Sequence, residues 1–182
     1  MLVHVYTFYY IIFTTYCTIP PSIYLFIYRP MSVSIRNATI DDLPILLEFE
    51  QGIVTYERPF DSTLKEGIIS YYDIRAMILS DEVEVRVAVE NDEVIASGYA
   101  RIEISKPYLK HIEHAYFGFM FVKESHRGRG INKLVMESLY AWVVSKGVKE
   151  VELDVYSDNI NAIKAYEKAG FKKNLLKMSR EI

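Results

Sequence analysis

Between Phe121 and Leu134 the chain reads FVKESHRGRGINKL, a polar loop set between an apolar run and an amphipathic stretch. Gly128 and Gly130 fall where the amphipathic stretch begins, so the backbone there can approach a ligand with no Cβ in the way. The first amides of a helix lack intrahelical partners, and the helix dipole places positive charge at that end. A diphosphate satisfies both, and Arg127 and Arg129 add cationic charge at the same place. Taken alone, the same residues also describe a tight strand-to-helix turn with solvated arginines. Two other nucleotide patterns do not match. A dinucleotide fingerprint would need a third glycine at Lys133, and a phosphate loop would need four residues between its glycines and a Gly-Lys-Ser/Thr ending.

Such a loop needs a strand before it and a helix after it. Ala115 to Val122 is a continuous apolar and aromatic run, suited to a central strand covered on both faces. From about Gly128 to Lys146, Ile131, Leu134, Val135, Ser138, Leu139 and Trp142 recur at helical spacing, and Gly147 ends the helix. Upstream, Val33 to Ala38 reads as a short strand. A helix capped by Thr39 or Asp41 follows through Leu43, Leu46, Leu47 and Glu50, with Pro44 in its first turn. Ile53 to Thr63 reads as a loop and Leu64 to Leu79 as a second helix. Val83, Val85, Val87 and Val89 alternate at strand period, Asn91-Asp92 turns the chain, and Val94 to Ile104 returns as a hairpin partner. Ser105 to Glu113 connects to the central strand. Downstream, Lys149 to Tyr156 is a strand that puts Glu152, Asp154 and Tyr156 on one face. Asn159 to Ala169 is a helix stopped by Gly170, and Phe171 to Arg180 supplies terminal strand material. Early strands followed by β-α-β-α-β indicate an α/β domain with a mixed sheet.

Two ordered motifs now stand out. Arg127-Gly128-Arg129-Gly130-Ile131 after an apolar strand resembles the coenzyme A pyrophosphate motif of the GNAT N-acetyltransferases, R/Q-x-x-G-x-G/A. Asn159-Ile160-Asn161-Ala162-Ile163-Lys164-Ala165-Tyr166-Glu167-Lys168-Ala169-Gly170-Phe171 resembles the second GNAT signature. Arg36, Ala38 and Asp41 resemble the start of many such domains. The likeness covers Met31 to Ile182 and implies the acyl-CoA N-acyltransferase fold, a mixed and mostly antiparallel sheet flanked by about four helices. One departure is Asn132, where the family has Gly or Ala.

The resemblance implies acetyl-CoA as co-substrate and direct transfer to a primary amine in a ternary complex, with no metal. The amides from Gly128 to Lys133, through Arg129, Gly130, Ile131 and Asn132, would grip the pyrophosphate beside Arg127. Met120, Phe121 and Val122 match the positions where strand backbone pairs with the pantetheine arm and polarises the thioester. Asn159 matches the contact to that arm, although Asn is equally a favoured helix cap. Tyr166 matches the general acid; it follows Asn159 by two helical turns, and it also falls on an apolar stripe that could simply be core. Asp154 is the best-matched general base, with Glu113 and His114 as rivals. His111 and His126 read as loop residues. Glu50, Glu57 and Asp61 could form an acidic mouth for a cationic amine, or Glu57–Arg58 and Arg58–Asp61 could be local pairs of a solvated loop.

The 182-residue chain suits one domain. Its net charge of −3, with no basic run, argues against nucleic acid as a partner. The single cysteine, Cys17, allows no internal disulfide, which fits a cytoplasmic setting. Residues 1–30 carry one formal charge, Arg29. They are read as an apolar N-terminal extension outside the fold, either an over-extended start or a membrane segment, with residues 31–182 forming the transferase domain. Pro20-Pro21 interrupts the stretch, and no positive charge near Met1 supports a signal peptide. A membrane enters as partner only if that segment is a genuine anchor; a homodimer is the assembly the family suggests. Other readings are a non-catalytic acyl-CoA-binding module of the same fold and a membrane-anchored interaction protein.

Overall fold

The computed structural model describes residues 33–180, and the N-terminal extension lies outside them. The order is β1 (Ser34–Asn37), α1 (Leu43–Glu57), α2 (Ile74–Leu79), β2 (Val83–Glu90), β3 (Glu93–Ile104), β4 (Glu113–Val122), α3 (Ile131–Ser145), β5 (Val151–Glu152) and α4 (Ile160–Lys168). The strands form one five-stranded sheet in sequence order, antiparallel from β1 to β4 and parallel between β4 and β5. Helix α3 covers one face, where Ala96, Ala100, Ala115 and Phe117 meet Ile131, Val135 and Leu139. Helices α1 and α2 cover the other, where Val85, Val87, Tyr99 and Phe119 meet Leu46, Phe49 and Ile74.

Entry into α1 is fixed by charge and capping together. The Asp42 carboxylate accepts both Arg36 terminal nitrogens at 2.7 and 2.8 Å and the Thr39 amide at 2.7 Å. The partner of Arg36 is therefore Asp42. Asn91 and Asp92 both have positive φ, 52° and 65°, the two-residue turn whose twist suits a tight hairpin.

Three boundaries differ from the sequence expectation. Helix α1 runs on through Ile53 and Val54 to Glu57, then tightens into a 3-10 turn at Arg58–Phe60. Val54 continues the buried stripe of Leu46 and Glu50, so the helical period persists where a loop was expected. Residues 61–73 are irregular rather than helical, and α2 is only its last turn and a half. Here Glu50, 1% exposed, accepts the amides of Tyr71 and Tyr72 at 2.7 and 2.9 Å and bonds the Ser70 hydroxyl, fixing the backbone outside helical geometry. Finally, β5 pairs over two residues only, and 171–180 form no regular element.

Candidate active site

Strand β4 carries an extra residue. Ser97 pairs with Phe121 while Tyr99 pairs with Gly118, so one residue of β3, Gly98, faces two of β4, Phe119 and Met120. Phe119 takes up the surplus with φ of 56°, a left-handed conformation that costs a bulky residue energy and persists only when its surroundings enforce it. Ser97 supplies part of that enforcement: it is fully buried, and its hydroxyl donates to the Phe119 carbonyl at 3.0 Å.

The bulge resets the strand. Before it, Ala115 and Phe117 face α3; after it, Met120 and Val122 do, while Phe119 and Phe121 pack toward α1. Backbone polarity is reset in the same way. The Ala115 amide donates to the Glu150 carbonyl, on the β5 side, and the Lys123 amide donates to Ile95, on the β3 side. Alternation from Lys123 then turns the amides of Met120 and Val122 away from β3. No strand meets them, because β5 pairs only with Ala115 and Tyr116. The Phe121 amide faces β3, so of the three strand positions expected to serve a ligand, Met120 and Val122 present their amides to the gap.

Beyond the strand, a 3-10 turn at Glu124–His126 leads to the glycine loop. Gly128 and Gly130 have φ of 76° and 78°, and Gly130 caps α3. None of the amides from Gly128 to Asn132 has an acceptor among the described residues; the Lys133 amide turns back to the Gly130 carbonyl at 3.1 Å. Five amides thus converge on the positive end of a 15-residue helix. Asn132 does not block them: its side chain lies along the helix, with Nδ2 3.6 Å from the Met136 sulfur. The arginines divide. Arg127 bonds the Val122 carbonyl at 3.2 Å and lies 5.5 Å from the Tyr56 ring centre, making no ion pair among the described residues. Arg129 is engaged in a bidentate pair with Glu90.

The second motif builds α4 and its flanks. Asn159 caps α4, its Oδ1 accepting the Ala162 amide at 3.2 Å, so the capping role is realised. Tyr166 is partly buried, edge-on to Phe171 at 5.9 Å between ring centres. Burial, with the Glu57 carboxylate adding to it, pushes the Tyr166 phenol up to about 12. Asp154 is exposed and accepts the Tyr116 hydroxyl at 3.2 Å. Of the alternatives, Glu113 is exposed at the start of β4, and His114 is buried with Nδ1 3.0 Å from the Ser105 hydroxyl.

The expected acidic mouth is half present. Glu50 is spent on backbone amides, as described, and cannot reach a substrate. Arg58 donates to the Lys65 and Gly67 carbonyls rather than to Glu57 or Asp61. Asp61 accepts the Tyr156 hydroxyl at 3.1 Å, and the Phe60 ring stacks on Tyr156 at 6.1 Å, which ties the end of α1 to the segment after β5. Burial pushes the Glu57 carboxyl up, and Glu57 in turn helps hold the Tyr71 phenol un-ionised to about 12. Sequence reasoning missed Ser97 and Glu90. A serine inside the otherwise apolar β3 was the available hint of the first; the 39-residue separation of Glu90 from Arg129 left none of the second.

The chain belongs to the acetyltransferase (GNAT) family, whose family model matches residues 51–171. Human N-acetyltransferase 8 is 27% identical over 101 residues, which are 56% of this chain and 44% of that protein. The chain thus matches less than half the length of that relative. Among solved structures, a tetramutant of a Bacillus halodurans protein superposes with a TM-score of 0.73 at 21% identity, over 82% of this chain and 99% of the other. A predicted acetyltransferase from Clostridium acetobutylicum with acetyl-CoA gives a TM-score of 0.63 at 18% identity, over 81% and 96%. These neighbours share the acyltransferase fold. Among the described residues no helix is long and apolar enough to cross a membrane, and no group of three or more His, Cys, Asp or Glu could hold a metal ion.

Proposed function

We propose that the protein transfers the acetyl group of acetyl-CoA to a primary amine, with both substrates bound at once. The observation that carries this reading is the two groups of amides with no acceptor among the described residues, Met120 and Val122 on the strand and Gly128–Asn132 at the start of α3. A pantetheine arm pairs with the first part as a missing strand would, and a diphosphate lies on the second. Arg127, without an ion pair among the described residues, adds charge there, and the Asn159 side-chain Nδ2 serves the arm.

In the reaction the amine nitrogen, having lost a proton, attacks the thioester carbon. Charge gathers on the carbonyl oxygen, which takes a hydrogen bond from a strand amide beside the bulge; such a preorganised donor is worth about 3 kcal/mol. The C–S bond then breaks with its electron pair leaving on sulfur, and Tyr166 gives its phenolic proton to the thiolate. A phenol near 12 is fully protonated at neutral pH. Burial that raises it also raises a thiol held alongside, so donor and acceptor stay matched within the site. Asp154, oriented by Tyr116, takes the nitrogen proton directly or through water. The acceptor enters past Glu57, Asp61, Phe60 and Tyr156, a mouth suited to a cationic amine.

Calorimetric titration of acetyl-CoA into the purified chain is the first test. Binding in the micromolar range supports the reading and leads to an amine screen by thiol release. A folded sample that binds no acetyl-CoA overturns it.

A further inference from the structure

The glycine loop hangs on a buried carboxylate that belongs to neither the loop nor its helix. Glu90 ends β2 just before the hairpin turn and is 4% exposed. It receives three donors from the loop: Arg129 Nη2 on Oε1 at 2.6 Å, Arg129 Nη1 on Oε2 at 2.9 Å, and His126 Nε2 beside Oε2 at 3.2 Å. The Ser125 hydroxyl, 2.8 Å from His126 Nδ1, orients that ring. On the other side of the turn Lys123, the residue leading into the loop, pairs with Glu93. Both ends of one hairpin turn therefore grip the stretch from 123 to 129.

Two consequences follow from elementary electrostatics. A guanidinium whose terminal nitrogens both serve one carboxylate commits two of its five N–H donors and is fixed in place, and the pair carries no net charge toward an approaching anion. A loop with glycines at 128 and 130 loses much conformational entropy on ordering, unless something holds it beforehand. We propose that Arg129 is a strut rather than a phosphate ligand, and that Glu90 is a positioning residue that holds the loop amides convergent for the diphosphate of acyl-CoA. This rests on the reading of the loop as the diphosphate site.

The sign of one substitution separates the two roles of Arg129. Were Arg129 a phosphate ligand restrained by its partner, Glu90→Gln would release it and coenzyme A would bind more tightly. As a strut pair, Glu90→Gln and Arg129→Gln should each weaken coenzyme A binding about tenfold by calorimetry. The double variant should bind no worse than the weaker single, because the two side chains act as one unit. In turnover the loss should fall on KM for acetyl-CoA, leaving KM for the amine in place. Tighter binding by Glu90→Gln, or additive losses in the double variant, overturns the proposal. If Glu90→Gln fails to fold, Arg129→Lys decides: it keeps the charge but not the fork, so a strut loses affinity and a phosphate ligand retains it. No binding by the unmodified chain would remove the site reading itself, a failure distinct from any pattern among the variants.

Discussion

Tyr166 illustrates how far residue types at fixed spacing carry an argument. Its spacing from Asn159 was legible in the sequence, and so was its membership of an apolar stripe. The structure shows both aspects at once: the phenol is partly buried against Phe171, and that burial keeps its proton on. Tyr166→Phe should therefore lower kcat by roughly 10²-fold while leaving coenzyme A affinity near that of the unmodified protein. Steady-state kinetics with calorimetry checks this, and an unchanged kcat removes Tyr166 as the acid. Arg129 and Glu50 show the limit at this scale. Each has the charge expected of a ligand-binding group, yet each has a partner from a distant part of the chain that occupies it. A single sequence gives the type of a side chain and not the partner that takes it first.

Among the elements, periodicity located the hairpin, the central strand, α3 and α4 to within a few residues. It failed where a side chain overrides the local backbone preference. The segment before α2 carries helix-compatible residues, but Glu50 draws the Tyr71 and Tyr72 amides into its own hydrogen bonds. The β4 bulge was equally invisible, because an unbroken apolar run has no alternation whose phase could slip. Its clamp is testable. Ser97→Ala leaves the Phe119 carbonyl buried without its donor, a loss of about 1–3 kcal/mol. Thermal unfolding should shift downward, and, on the proposed function, kcat should fall more than KM for acetyl-CoA rises, since the strand amides beside the bulge lose their setting before the loop does. A stability loss with kcat intact would confine Ser97 to the fold. Close approaches elsewhere hold the same region: a Cβ at Gly52 would stand 2.6 Å from the Phe121 ring, so α1 lies almost on the strand.

Across the whole molecule the sheet separates two apolar layers, and the rings of Tyr71, Tyr72, Tyr99 and Tyr116 follow one another at 5.9, 5.5 and 6.4 Å between centres. Burial raises the phenols of Tyr71 and Tyr166 to about 12 and those of Tyr72, Tyr116 and Tyr156 further. In the unfolded chain each would ionise near 10. The folded state therefore holds these protons more strongly, and their contribution to stability is complete below pH about 10 and is lost as pH rises beyond it. Thermal scans should show the melting temperature falling steeply once pH passes that point, with part of the tyrosinate absorbance appearing only as the protein unfolds. A native protein whose tyrosines all ionise together near pH about 10 would contradict the burial of these phenols.

The surplus residue in β4 also constrains what mutation can undo. Deleting Phe119 would restore strict alternation and keep every later side chain on its face, but it would empty a ring that is 2% exposed from the core beneath α1. Deleting Gly118 instead would move Phe119 opposite Tyr99, whose ring stands 2.7 Å from where a Cβ would be built at that glycine. Neither shortening is tolerated by its surroundings. The irregularity that opens the sheet is thus held by its own packing, and neither of these two losses leads back to an uninterrupted strand without cost.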